Sequence, residues 1–401
     1  MTSEWNHFAL GEITELVIDY RGKTPKKLGG DWCKQGYRAL SAKNIKTGRI
    51  VQAETIRYID ESLYRKWMKD EVQRGDILIT SEAPFGQIFF WDSDEKIVLS
   101  QRLFCVRIKP EYNARFIYYY MTTPEFQSEL DGRATGTTVI GLRQPELMKC
   151  IIRCPEIQEQ KMIAAILSSI DAKIIANEKV NDNLEQQAQA YFQELFVDNA
   201  DPEWTTGTIS DLGTVVGGST PSKAKPEYYT ESGIAWITPK DLSINKSKFV
   251  SHGENDITEL GLRNSSASLM PEGTVLFSSR APIGYIAIAA GEVTTNQGFK
   301  SVVPKPEIGT PFVYFFLKNT LPVIEGMASG STFKEVSGST MKNVPAVIPD
   351  AETLAKFSDF CAPIFAQQRI LEEQNQSLAT LRDNLLPKLM SGEIDVSSVH
   401  L

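Results

Sequence analysis

Apolar residues recur at alternating steps of three and four along two long stretches of the chain. The first runs through Ile163, Ile166, Ile170, Ile174, Asn177, Asn181, Leu184, Ala188, Tyr191 and Leu195. The second runs through Leu354, Phe357, Cys361, Ile364, Gln368, Leu371, Asn375, Leu378, Arg382, Leu385 and Leu389. This is heptad spacing, and it predicts helices over 156–197 and 350–389. At ~1.5 Å per residue each would span roughly 60 Å, long enough to act as a spacer. Polar seam residues fix register at a cost in stability. Antiparallel pairing, with position numbers summing to 552, sets Asn177 against Asn375; parallel pairing, offset by 191, sets it against Gln368. The pattern leaves both open. Pro363 lacks an amide donor, so a kink or break is expected there.

Outside these stretches the pattern shortens. β-type runs occupy 77–80, 87–91 and 103–108, punctuated by Gly and Pro. Aromatic-rich helix candidates follow at 113–130 and 311–327, the second with Thr310 as N-cap and Pro311 at the first helical position. Small polar stretches, 132–141 and 329–339, then lead into the long helices.

The chain is thus written twice, at an offset of 194 to 199 residues. Glu4-Trp5 returns as Glu203-Trp204, Thr24-Pro25 as Thr220-Pro221, and Lys43-Asn44-Ile45 as Lys240-Asp241-Leu242. Ser81-Glu82-Ala83-Pro84-Phe85-Gly86 returns as Ser279-Arg280-Ala281-Pro282-Ile283-Gly284, Gln101 as Gln297, and Gly136-Thr137-Thr138 as Gly330-Ser331-Thr332. Conserved order makes this a duplicated α+β module. Four segments result: modules at 1–155 and 202–349, and helical segments at 156–201 and 350–401.

Charge changes the picture once it is divided among these segments. The 401 residues carry net −8. The first module has 23 basic and 20 acidic residues, net +3, and the second 12 and 13, net −1; the helical segments hold −6 and −4. An acidic whole therefore does not exclude nucleic acid from the modules. Cys33, Cys105, Cys150, Cys154 and Cys361 are odd in number and lack the spacing of a zinc site, which suggests buried thiols in a reducing cytoplasm. No apolar run is long enough to cross a membrane, and the first residues lack a basic-then-apolar signal pattern. A cytoplasmic protein is expected.

Catalytic patterns fail one by one. Gly22-Lys23-Thr24 mimics a P-loop end, but residue 17 is valine where glycine is required. No Asn-Pro-Pro-aromatic tetrapeptide of an amino-methyltransferase occurs. Pro349-Asp350 could open a nuclease motif, but Glu352 is followed by Thr353 and Leu354. Ser81 and Ser279 sit in no nucleophile elbow. Neither a metal site nor a catalytic residue is expected.

Two copies running Trp, Thr-Pro, Ala-Pro-x-Gly, a Gln before a β-run and a long helix resemble the DNA specificity subunits of type I restriction–modification systems. The pieces that carry this are Ala281-Pro282-Ile283-Gly284, Thr295-Asn296-Gln297-Gly298-Phe299-Lys300 and the helix spacing, over residues 4 to 391. Ser100-Gln101-Arg102 departs from Asn296-Gln297-Gly298, so the two modules should read different half-sites. The resemblance implies two target recognition domains joined by two long antiparallel helices, a coiled-coil spacer with pseudo-twofold symmetry. Each domain would read half of a split, asymmetric site on double-stranded DNA. The chain itself would be non-catalytic and bind no cofactor. It would recruit two modification subunits, carrying S-adenosylmethionine and methylating adenine, and restriction subunits that use ATP.

Base readout needs polar side chains at base edges and cations at phosphates. Polar loops supply Arg21, Lys23, Arg38, Lys43, Asn44, Arg102, Arg133, Thr137 and Thr138 in the first module, and Lys223, Lys240, Arg280, Asn296, Lys300, Thr332 and Lys334 in the second. Gln101 and Gln297 could instead brace a turn, and Ala-Pro-x-Gly would turn beside the readout loops. Modules on one face of the duplex would sit about 34 Å apart. The acidic balance implies that modification subunits complete a positive cradle. A duplicated protein-interaction scaffold on a stalk is the rival reading, and it predicts partner binding that salt does not weaken. An enzyme with a cryptic site between the modules is a second rival.

Overall fold

A computed structural model describes residues 5–136, 140–330 and 334–396. The chain divides into two compact units, residues 1–172 with 378–401, and residues 173–377. Each unit therefore holds one module and part of both long helices.

In the first unit, strand Asn6–Ala9 pairs antiparallel with Ile151–Cys154 and closes the module's ends together. The main sheet has the order Thr14–Asp19, Leu103–Ile108, Ile77–Thr80, Ile88–Phe90. All four residues of Ile77–Thr80 are buried. Side chains alternate across a strand, so Ile77 and Ile79 enter a core with the helices, while Leu78 enters a second core on the other face. That second core lies under a small sheet, Arg57–Ile59, Tyr37–Leu40, Val98–Leu99. The central strand is antiparallel to the first and parallel to the last, with Arg57 opposite Ala39 and Ala39 opposite Val98.

The second unit repeats the plan. Thr205–Thr208 pairs with Pro345–Ile348. The main sheet runs Gly213–Gly217, Lys300–Pro304, Val275–Ser279, Ile283–Ala289, then an added edge strand, Phe249–Val250. The small sheet runs Tyr229–Thr230, Asn255–Ile257, Ile234–Ile237, Thr294–Thr295, again with a parallel pair, Trp236 opposite Thr294.

The long helices span Ile157–Gln193, continued by a π-helical turn at Glu194–Asp198, and Ala351–Met390. They run antiparallel. In the second unit Asn177 Nδ2 donates to Asn375 Oδ1 at 2.8 Å, and Gln368 Nε2 donates to the Asn181 carbonyl at 3.2 Å. In the first unit Arg382 Nη1 meets Asp171 at 2.9 Å. Ile163, Ile170, Leu354, Phe357, Ile364 and Leu371 are buried, and Ile166, Ile174, Leu184, Leu195, Leu378 and Leu385 are half-buried. Leu167 and Phe192, outside the heptad seam, are buried as well. There the helices also pack on module side chains, which widens the apolar stripe.

Several sequence expectations are corrected. Pro363 does not break its helix: the element runs through Ala351–Met390, and Pro363 lies on its exposed side, where water can meet a carbonyl that loses its intrahelical donor. The helix expected over 113–130 is two, Ala114–Met121 and Pro124–Arg133. Pro124 disfavours helical backbone at Thr123, which instead caps the second helix by accepting from the Phe126 amide at 3.3 Å. The helix Thr310–Met327 starts one residue early, with Gly309 as N-cap, because the Thr310 hydroxyl donates to the Gly273 carbonyl at 2.8 Å. Asp350 is a helix N-cap, accepting from the Thr353 amide at 2.8 Å and from Trp204 Nε1 at 2.9 Å. Cys33 is exposed, while the other four thiols are buried; burial pushes Cys150 and Cys154 up to about 12. Among the described residues no helix is long and apolar enough to cross a membrane.

Candidate nucleic-acid interface

The parallel strand pair in each small sheet brings distant motifs together. Strands that run side by side in the same direction deliver their following loops to the same end. Tyr37–Leu40 leads into Lys43, and Val98–Leu99 leads into Gln101 and Arg102. The Ala42 amide donates to the Gln101 carbonyl at 3.1 Å. A cleft of about 280 Å³ opens there, lined by Lys43, Arg57, Ala83, Gln101 and Arg102 among others. In the second module, Ile234–Ile237 leads into Lys240 and Thr294–Thr295 into Asn296 and Gln297. The Asn296 amide donates to the Ile237 carbonyl at 3.0 Å. Gln297 also accepts from the Thr220 hydroxyl, so the Thr-Pro motif and the Gln motif meet.

Ala-Pro-x-Gly turns lie beside both loop pairs. Ala83 and Ala281 hold left-handed backbone, with φ of 41° and 51°. Arg102 is left-handed too, at φ 63°, and pairs with Glu82 at 2.9 Å. Arg280 and Lys300 converge on Glu335, at 3.5 and 3.9 Å. Burial holds Lys300 below its ordinary value, with Arg280 adding to the fall and Glu335 opposing it.

The candidate residues sort by what holds them. Lys43, Lys223 and Lys334 are exposed. Lys240 is exposed and pairs with Glu254 at 2.5 Å. Arg21 is chelated by Asp19 at 2.8 Å and lies 4.0 Å over the Phe104 ring, Arg38 is paired with Glu95, and Arg133 with Glu129 at 2.9 Å. Lys23 lies over the Tyr20 ring at 3.7 Å and donates to the Trp67 carbonyl at 2.5 Å, and burial lowers its pKa. Asn296 accepts from the Gly298 amide at 2.8 Å, which shapes its own loop. Thr137, Thr138 and Thr332 lie outside the described residues.

Asn44 is not placed to touch DNA. It is 1% exposed, and its amide group is spent on Ser41, Gln52 and Thr55. Asp241 does the same work in the second copy, accepting from the Thr238 amide at 2.7 Å. Replacement of Asn44 by alanine is expected to cost the first unit about 1–2 kcal/mol through lost capping and unpaired backbone groups. Urea unfolding of the full chain measures this, and an unchanged midpoint would contradict the buried role. Arg57 and Trp32, absent from the sequence candidates, line the first cleft.

The family described as type I restriction modification DNA specificity domain matches residues 2–186 and 202–381. The chain belongs to that family. The MjaIX specificity subunit of Methanocaldococcus jannaschii is 38% identical over 45% of this chain and 44% of its own length. The HindI specificity subunit of Haemophilus influenzae is 23% identical over 81% of this chain and 88% of its own. The S subunit structure from M. genitalium aligns over 96% of both chains with a TM-score of 0.60 at 18% identity, which speaks to the fold alone.

Proposed function

We propose that the chain is the DNA-reading, non-catalytic subunit of a type I restriction–modification complex in the cytoplasm. Each module reads one half of a split, asymmetric duplex site, and the paired helices set the gap. The observation that carries this is the twice-repeated parallel strand pair, from which the Lys43 loop and the Gln101-Arg102 loop leave at one end, as do the Lys240 loop and the Asn296-Gln297 loop. Cationic and amide side chains gathered at one end of each small sheet suit phosphate and base-edge contacts. Two modification subunits supply S-adenosylmethionine and methylate adenine, and restriction subunits supply ATP-driven cleavage.

The test maps methylated adenines directed by the chain together with its modification partners. A two-part site is expected. Lys240→Ala or Arg280→Ala should weaken recognition of one half only, by roughly tenfold for a lost charged contact. Equal loss on DNA altered in either half would sink the two-reader assignment. Binding that does not fall with added salt would favour a protein scaffold instead.

A further inference from the structure

Arg57 and Asn255 occupy the same place in the two modules. Arg57 is opposite Ala39, whose other neighbour is Val98. Asn255 is opposite Trp236, whose other neighbour is Thr294. Both are on the antiparallel strand that flanks the parallel pair, and both are exposed.

Their environments leave their polar edges available. Arg57 holds its guanidinium 5.3 Å from the centre of the Trp32 ring, and among the described residues no carboxylate pairs with it. A guanidinium held by an indole face spends none of its N–H donors on that contact. Asn255 makes no side-chain hydrogen bond among the described residues. In this respect Arg57 differs from Arg21, Arg38, Arg102 and Arg133, whose guanidiniums are each met by a carboxylate. It shares its cleft with Lys43, a cation suited to a phosphate.

We infer that this register position reads a base in each module, guanine through Arg57 and adenine through Asn255. The inference rests on the DNA-reading function proposed above. Arg offers two parallel donors to guanine O6 and N7, and Asn offers an acceptor and a donor to adenine N6 and N7. The duplicated strand thus presents different chemistry at one lattice point, so each copy prefers a different base there.

The full chain is assayed with its modification subunits by mapping methylated sites genome-wide. Arg57→Asn is expected to change one base of one half-site from guanine to adenine and to leave the other half untouched. The preference at that base should move by roughly 5- to 150-fold. Asn255→Arg should make the reciprocal change in the other half. Arg57→Lys, which keeps the charge but not the two parallel donors, should relax that base while retaining the site. An unchanged motif in all three variants, or uniform weakening at every base, overturns the inference. Full discrimination retained by Arg57→Lys does so too. A wild-type chain that directs no methylation to a two-part site overturns the DNA-reading function itself.

Discussion

Glu185→Leu is expected to cost the second unit about 3–5 kcal/mol, the largest single-residue effect among these predictions. Glu185 comes from the first long helix and accepts from Lys248 Nζ at 2.7 Å, from Lys318 Nζ, and from the Tyr314 hydroxyl at 3.2 Å. The Lys248 side chain is 6% exposed and lies 3.6 Å over the Phe365 ring. Without the carboxylate, its ammonium would keep Gln368 Oε1, at 2.8 Å, as its one polar side-chain partner among the described residues. A buried charge left unpaired costs far more than the pair ever contributed. Melting of the full chain should therefore fall by on the order of 10 °C. Pairing Glu185→Leu with Lys248→Met should recover most of that loss; a single mutant within 1 °C of wild type would refute the account.

The same lysine gives a pH signature. Burial pushes Lys248 down to about 8, against the pull of Glu185, while its ordinary value is 10.5. Between those values the unfolded chain holds more protons, so stability should rise with pH across that window. Lys248→Met should flatten the rise. Glu185 behaves oppositely. Burial would raise it, but Lys248 and Lys318 hold it below 4.5, so its contribution is present above that value and is lost as pH falls through the folded value.

How much of this was legible depends on how local the cause is. The second long helix was expected at 350–389 and runs Ala351–Met390, because heptad burial repeats over many turns and an Asp cap precedes it. The polar pair Asn177–Asn375 was visible as a possibility, but choosing antiparallel over parallel needed contacts between residues far apart. The interface was legible as a set of motifs and not as a place. Two-residue strands such as Val98–Leu99 carry almost no periodicity, so the parallel pairing that gathers Lys43 and Arg102 left no trace in the pattern. Asn44 looked like a base reader because a polar residue in a Lys-rich loop reads as exposed. Its burial follows from a turn closed by Ser41 and Thr55. Arg57 was hidden for the converse reason, since it lies inside an apolar run, and the Trp32 ring that marks it comes from another segment.

Removing one matched heptad from both long helices, residues 172–178 and 374–380, is expected to shift the gap between half-sites without altering either half. Each helix is a single element through these positions. Position numbers of facing residues sum to 552 for Asn177 and Asn375, and to 553 for Asp171 and Arg382. The two cuts therefore remove facing segments and spare both the Asp171–Arg382 pair and the Glu185–Gln368 contact at 3.4 Å. Seven residues return the seam to within about 20° of its original face, so the apolar stripe still meets its partner. The connection shortens by about 10 Å, which corresponds to about three base pairs of duplex. Removing four residues from the first helix alone behaves differently. It rotates the following seam by about 40° and leaves the partner helix unmatched, so stability should fall as the gap changes. Mapped methylation sites measure both variants, with melting as the check on folding. A folded heptad-deleted chain that marks the original gap would show that something other than the paired helices sets the spacing.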